Sequence, residues 1–129
     1  MNTEQWIVYI SGVVTTLLLC GTMILFGWIF QNRPPKDINS LYGYRTARSM
    51  KTPETWAFAH QYCGRLWWRL GWISLVASAA LLVLFLFVSW MEIGVCVLMF
   101  LQMIPLVWAI FPTEKALKKK FDQFGRLKE

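Results

Sequence analysis

Charge is what this sequence has least of. Asp, Glu, Lys and Arg make up 16% of its 129 residues, against roughly a quarter in an ordinary soluble domain. From Trp6 to Phe30 no charged residue occurs, and between Gly71 and Phe111 the single exception is Glu92. With 57% hydrophobic residues, 16% aromatics and a mean hydropathy of +0.44, a soluble globule of this length could not hide its apolar side chains. The excess must face lipid. Histidine is equally scarce, with His60 alone, and the three cysteines, Cys20, Cys63 and Cys96, follow no metal-ligand spacing. That odd, widely spaced set argues against a disulfide framework or a zinc site. Paired carboxylates, a nucleophile with its base, a phosphate loop and a cofactor fingerprint are also missing. The sequence therefore reads as non-enzymatic, with no catalytic residue, no cofactor and no metal ligand.

What is there reads as an all-α membrane protein, one membrane domain over residues 1–129. Residues 6–30 make a first spanning helix. At 1.5 Å per residue they reach about 37 Å, enough to cross a bilayer with some tilt. The chain opens with Glu4 rather than a basic segment and leaves the run at Gln31-Asn32-Arg33-Pro34-Pro35, so this is a retained span and not a cleaved signal peptide. The second run, Gly71–Phe111, would extend about 61 Å as one helix, twice the hydrocarbon thickness. It must fold back, giving helices over 71–88 and 93–111 with Trp90 and Glu92 at the interfacial turn. Pro105 is expected to kink the last helix.

Basic residues occur in two blocks. Arg33, Lys36, Arg45, Arg48, Lys51, Arg65 and Arg69 follow the first span; Lys115, Lys118, Lys119, Lys120, Arg126 and Lys128 form the tail. A net charge of +6 in a soluble chain would raise nucleic-acid binding. Here its position argues instead for topology and anionic lipid, with no nucleic-acid partner. By the positive-inside rule the N-terminus is external, and the loop and basic tail (112–129) are cytoplasmic, at a plasma membrane. The tail from Thr113 reads equally as an amphipathic helix on headgroups, using Leu117, Phe121 and Phe124, or as a solvated stop-transfer segment.

The polar chemistry is concentrated between Pro34 and Arg69. Pro34-Pro35 ends the first helix, and Asn39, Gly43 and the Tyr42/Tyr44 pair point to a compact turn. Thr52-Pro53-Glu54 reads as a helix start. Over 53–69, Trp56, Ala59, His60, Cys63 and Trp67 fall on one stripe with Glu54, Gln61, Arg65 and Arg69 opposite, as in a helix lying in the cytoplasmic interface. Arg45 offers a guanidinium for a lipid phosphate, a peptide carboxylate or backbone carbonyls, against the plainer role of a topology-setting surface charge. His60 lacks a partner at ligand spacing and fits a hydrogen-bonded structural role. Trp56 and Trp67 fit interfacial anchoring. Asn39, Tyr42, Gly43, Tyr44, Arg45, Thr46, Trp56 and His60 are the candidate ligand-binding residues, expected to converge on one face with Arg45 near His60 or Trp56.

These residues carry a resemblance. Pro34-Pro35 and Asn39, then Gly43-Tyr44-Arg45-Thr46, Ser49-Met50-Lys51, and finally Trp56, His60 and Gly64 resemble, in order and spacing, the SdpI/YfhL family of bacterial integral membrane proteins, over roughly Phe30 to Gly71. Ala47-Arg48 stands where many longer members carry Pro-Trp, and those members have a further N-terminal membrane region. The resemblance implies immunity or tolerance toward a membrane-active peptide toxin, by binding it or masking its target. It also leaves open a membrane module that recruits a soluble transcriptional repressor. A lipid-handling enzyme or transporter is the third reading, weakened by the lack of acids within the spans.

Overall fold

The computed structural model describes residues 1–129 and holds three helical stretches long and apolar enough to cross a membrane: Thr3–Asn32, Pro53–Phe85 and Met91–Lys120. The first two are unbroken helices, α1 (Thr3–Asn32) and α2 (Pro53–Phe85). The third is divided into α3 (Met91–Leu101), α4 (Met103–Trp108) and α5 (Ile110–Lys120).

Local chemistry sets the ends. Asn2 caps α1 in a reciprocal box with Gln5: its Oδ1 accepts the Gln5 N–H at 2.8 Å, and the Gln5 side chain accepts the Asn2 N–H at 3.1 Å. Helix α1 stops at Arg33, immediately before the two prolines. Thr52 caps α2, with Pro53 in the first turn and Thr55 completing the box. The breaks at Gln102 and Ala109 each fall three residues before a proline. Pro105 has no N–H for the Leu101 carbonyl and Pro112 none for that of Trp108. Pro105 was the anticipated kink; Pro112 makes a second one.

Helix boundaries differ from the sequence reading, most of all in the second and third spans. No separate interfacial helix occupies 53–69. That stretch is the first half of α2, which continues for 33 residues, about 50 Å, through the expected second span, and stops at Phe85 rather than residue 88. The stripe Trp56, Ala59, His60 and Cys63 is fully buried, but the chain's own loop, α1 and α5 cover it instead of headgroups. Likewise the last helix outruns the 93–111 expectation, starting at Met91 and reaching Lys120. The tail is not helical throughout: Phe121 turns extended and pairs with Leu127 in an isolated bridge. Leu117 and Phe121 are buried within the protein, leaving Phe124 exposed.

Helices α1 and α2 run antiparallel along a glycine seam. A Cβ on Gly27 would stand 2.6 Å from the main-chain nitrogen of Trp68, and one on Gly64 would stand 3.0 Å from the Gly27 carbonyl oxygen. Such small residues let backbones approach where lipid provides no hydrophobic drive. The Gln31 amide joins the two, donating to the Gly27 carbonyl at 2.9 Å and the Gly64 carbonyl at 3.2 Å. Near the α2–α3 turn, Leu82, Phe85, Met91, Val95 and Leu98 form one apolar cluster. At the opposite end Tyr44, Ala59, Cys63, Leu117 and Phe121 form another. Between them Gln102 donates to Thr16 Oγ1 at 2.6 Å and Ser78 Oγ at 2.9 Å, tying all three spans with one amide.

Six tryptophans are exposed, in two belts. Trp6 and Trp90 lie at the turn end; Trp28, Trp68, Trp72 and Trp108 lie toward the basic end. Along α1 the interval from Trp6 to Trp28 is about 33 Å, close to the hydrocarbon thickness. Indoles favour that boundary. Exposed Ile7, Ile10, Val14, Leu17, Leu18 and Leu25 fill the interval on α1. The protein is a multi-pass membrane protein, and residues 33–60 form a cap beyond the tryptophan belt.

Candidate functional site

The cap is ordered by side chains that satisfy a backbone with few main-chain partners of its own. After Pro34-Pro35, Asn39 makes a turn: its Oδ1 accepts the N–H groups of Leu41 at 3.0 Å and Tyr42 at 2.7 Å, and its amide donates to the Asp37 carbonyl at 3.1 Å. Gly43 follows at φ +115°, a conformation that side chains resist. A Cβ there would also stand 2.6 Å from His60 Nε2 and 3.1 Å from the Trp56 ring. The loop thus lies directly on the buried stripe of α2.

Trp56 and His60 are the pillar beneath it. The Trp56 indole N–H donates to the Pro35 carbonyl at 2.7 Å, anchoring the start of the loop. His60 Nε2 accepts the Tyr44 N–H at 2.9 Å, and its Nδ1 lies 2.7 Å from the Trp56 carbonyl. The two rings pack with centroids 4.4 Å apart, and Phe30 of α1 meets His60 edge-on at 4.8 Å. Both are shut off from solvent, Trp56 at 1% and His60 at 0% exposure. With each ring nitrogen committed to the main chain, His60 is a clamp.

Tyr44 extends the clamp to the third span. Its hydroxyl donates to Glu114 Oε1 at 2.7 Å, and Glu114 also faces Arg48 at 3.7 Å. Burial, reinforced by the neighbouring Glu114 carboxylate, pushes the phenol well above its ordinary range. It stays a donor. Thr46 and Ser49 close the next turn: the Ser49 hydroxyl donates to the Tyr44 carbonyl at 2.9 Å and accepts the Thr46 N–H at 2.9 Å. Thr55 then donates to the Ser49 carbonyl at 2.9 Å.

The eight candidates fall into two groups. Gly43, Tyr44, Trp56 and His60 converge in the buried clamp, with Thr46 one hydrogen-bonded residue away. Asn39, Tyr42 and Arg45 belong to the outer turn. Tyr42 packs on Phe26 and Phe30, each at 6.1 Å between centroids. Arg45 is exposed, and its Nε donates to the Asn39 carbonyl at 3.0 Å. No hydrogen bond joins it to His60 or Trp56. Leu41, bonded through its N–H to the Asn39 side chain in the same turn, is 92% exposed, and Arg45 forms no ion pair. Sequence reasoning missed Ser49, Thr55 and Glu114 as parts of this framework. The signals were Ser49's place in the Ser49-Met50-Lys51 run and Glu114, an isolated acid opening a lysine-rich tail.

Comparison with known proteins covers most of this architecture. The family described as the SdpI/YfhL protein family matches residues 36–113. That interval takes in the outer turn, the clamp, the second span and the third as far as Thr113. YfhL of Bacillus subtilis (strain 168), itself an uncharacterized protein, is 37% identical over 108 residues, covering 81% of this chain and 87% of the relative. No solved structure matches the chain.

Proposed function

The chain belongs to the SdpI/YfhL protein family, and from that premise we propose that it is a non-catalytic tolerance protein. It protects a bacterial plasma membrane against a membrane-active peptide by binding the peptide or masking its target. The observation that carries this reading is the division of the cap into a buried clamp and an exposed edge. His60 and Trp56 tie the loop to α2, and the edge carries Arg45, Leu41 and the half-exposed Tyr42, all three bonded to Asn39 in one turn. A guanidinium serves a peptide carboxylate or carbonyl, and the neighbouring leucine and phenol serve apolar side chains.

The positive-inside rule puts this edge on the cytoplasmic side and the N-terminus outside, so the peptide is met at the inner leaflet. Recruitment of a soluble regulator is the second reading. Exposed Arg45 and Lys51 with half-buried Arg48 beside the same ordered turn support it, since an acidic partner surface would dock there. The commitment of both His60 nitrogens weighs against proton-transfer chemistry. Cells with and without the protein, challenged with membrane-active peptides, test the main reading: expression should raise the tolerated dose. Equal sensitivity across the peptides tried, with capture of a regulator through the cap, would replace it with the second.

A further inference from the structure

On the outer side of the third span, where α5 leaves the tryptophan belt beside α2, a crevice of about 700 Å³ opens. Trp108 and Phe111 line its inner part, and Tyr62, Lys115 and Lys119 its rim. A second, wholly apolar hollow of about 310 Å³ shares Trp108 and Phe111 with it and continues along α4 past Val107, Ile104 and Met103. The two make one furrow, greasy at one end and cationic at the other. From Met103 to Phe111 it runs about 12 Å along the helix, close to half the hydrocarbon thickness of a bilayer.

The rim is rich in unused donors. Lys115 and Lys119 are four residues apart and share a helix face. Neither forms an ion pair, because the molecule's two ion pairs are Arg48–Glu114 and Arg126–Asp122. Glu114, next in sequence, is occupied with Tyr44 and Arg48 and does not neutralise Lys115. The Tyr62 ring rests against Phe58 at 5.9 Å between centroids, while its hydroxyl has no partner within the chain. On the same helix Arg65 is exposed and unpaired.

We propose that this furrow is a binding site for one anionic phospholipid of the leaflet at the basic end. Its phosphate sits on Lys115, Lys119 and the Tyr62 hydroxyl, and an acyl chain lies along Phe111, Val107 and Met103. Basic pockets beside membrane helices recognise such headgroups, and the apolar hollow requires a chain attached to the phosphate. The site is separate from the Arg45 edge and does not depend on tolerance activity.

Native mass spectrometry of the full chain in detergent tests it, using phosphatidylglycerol and phosphatidylcholine with identical chains. One phosphatidylglycerol should be retained with a preference of roughly 30-fold, the factor that two lysines supply toward a net-negative headgroup over one whose choline cancels the phosphate charge. Lys115→Gln with Lys119→Gln should erase the preference, whereas Lys36→Gln with Lys118→Gln, an equal charge change elsewhere, should leave it intact. Val107→Trp, which fills the hollow, should lower retention of both lipids. Equal retention of the two lipids by the wild-type chain, or equal losses in the two double variants, would overturn the site. Displacement of the lipid by millimolar glycerol phosphate would show a free-phosphate site and overturn the lipid assignment.

Discussion

The Tyr44 main-chain N–H points at His60 Nε2 across 2.9 Å, while Nδ1 of the same ring faces the Trp56 carbonyl at 2.7 Å. A carbonyl only accepts, so Nδ1 carries the proton; an N–H only donates, so Nε2 does not. One neutral tautomer ties the loop to α2, beside the bond from the Trp56 indole to the Pro35 carbonyl.

His60→Phe keeps the ring volume and removes both nitrogens. The Tyr44 N–H then has no acceptor in a buried site, a cost of about 1–3 kcal/mol. Trypsin should cut faster at Arg45 or Arg48 in the variant in detergent, with the spans intact. In the wild-type chain, nitrogen NMR of His60 should show the proton on Nδ1. Unchanged protease resistance would mean that the loop does not depend on the clamp.

Gly27 and Gly21 should respond in opposite ways to alanine. At Gly27 the new Cβ meets the Trp68 main chain at 2.6 Å, and a backbone cannot swing aside, so about 1–3 kcal/mol of stability should be lost. At Gly21 no atom lies within 4 Å, and the better helix former should be neutral or stabilising by up to about 1 kcal/mol. Thermal unfolding in one detergent compares them. A matching drop in both would show that the α1–α2 seam is not where the backbones meet.

Gln102→Leu should cost little, despite sitting at the junction of three spans. It removes two side-chain bonds worth about 0.6 kcal/mol each in a membrane. It also removes the Gln102 Oε1, a buried acceptor with no partner, whose desolvation costs about 1–3 kcal/mol. The freed Thr16 and Ser78 hydroxyls can bond carbonyls of their own helices. A net change within about 1 kcal/mol is expected from the same unfolding measurement; a loss above 3 kcal/mol would make the amide a principal tie of the bundle.

The spans were legible because the absence of charge over 6–30, and over 71–111 but for Glu92, leaves no soluble solution, and the Thr52-Pro53 start was legible because capping is local. The same periodicity that put Trp56, Ala59, His60 and Cys63 on one stripe carried no information about what covers it. Headgroups and a folded-back loop demand the same pattern. The answer lies in contacts between residues far apart in sequence, such as Tyr44 to Glu114, and these cannot be read along the chain. Arg45 illustrates this at the site. Its position in a tight turn was readable, but its attachment to the Asn39 carbonyl, rather than to the Trp56–His60 pillar, depends on how Gly43 turns the backbone.

Topology follows from where the charge lies. All 13 Lys and Arg residues fall in the loop, the first half of α2 and the tail, which pack together at one end. A reporter active in the cytoplasm should work when fused after Arg48 or Glu129, and an externally active one near the N-terminus or at Ser89. The reverse pattern would put the cap outside the cell and move any peptide encounter to the outer leaflet.

Arg45 separates a fork from a charge. Lysine there preserves charge and topology but loses the planar donor set and the Nε that holds the Asn39 carbonyl. If the exposed edge receives a peptide carboxylate or carbonyl, Arg45→Ala should lower peptide affinity about tenfold or more, the range of a charge-assisted hydrogen bond. Arg45→Lys should recover only part of that, with both variants as abundant in the membrane as the wild type. Tolerated dose and binding to the purified chain should fall together. Trp56→Ala is a different experiment, because Trp56 is buried and anchors Pro35. Its loss of protection should come with faster tryptic cleavage at Arg48, whereas the Arg45 variants keep the wild-type cleavage rate at that bond. Full tolerance with Arg45→Ala would remove the guanidinium from the protective surface and favour regulator docking at Arg48 and Lys51.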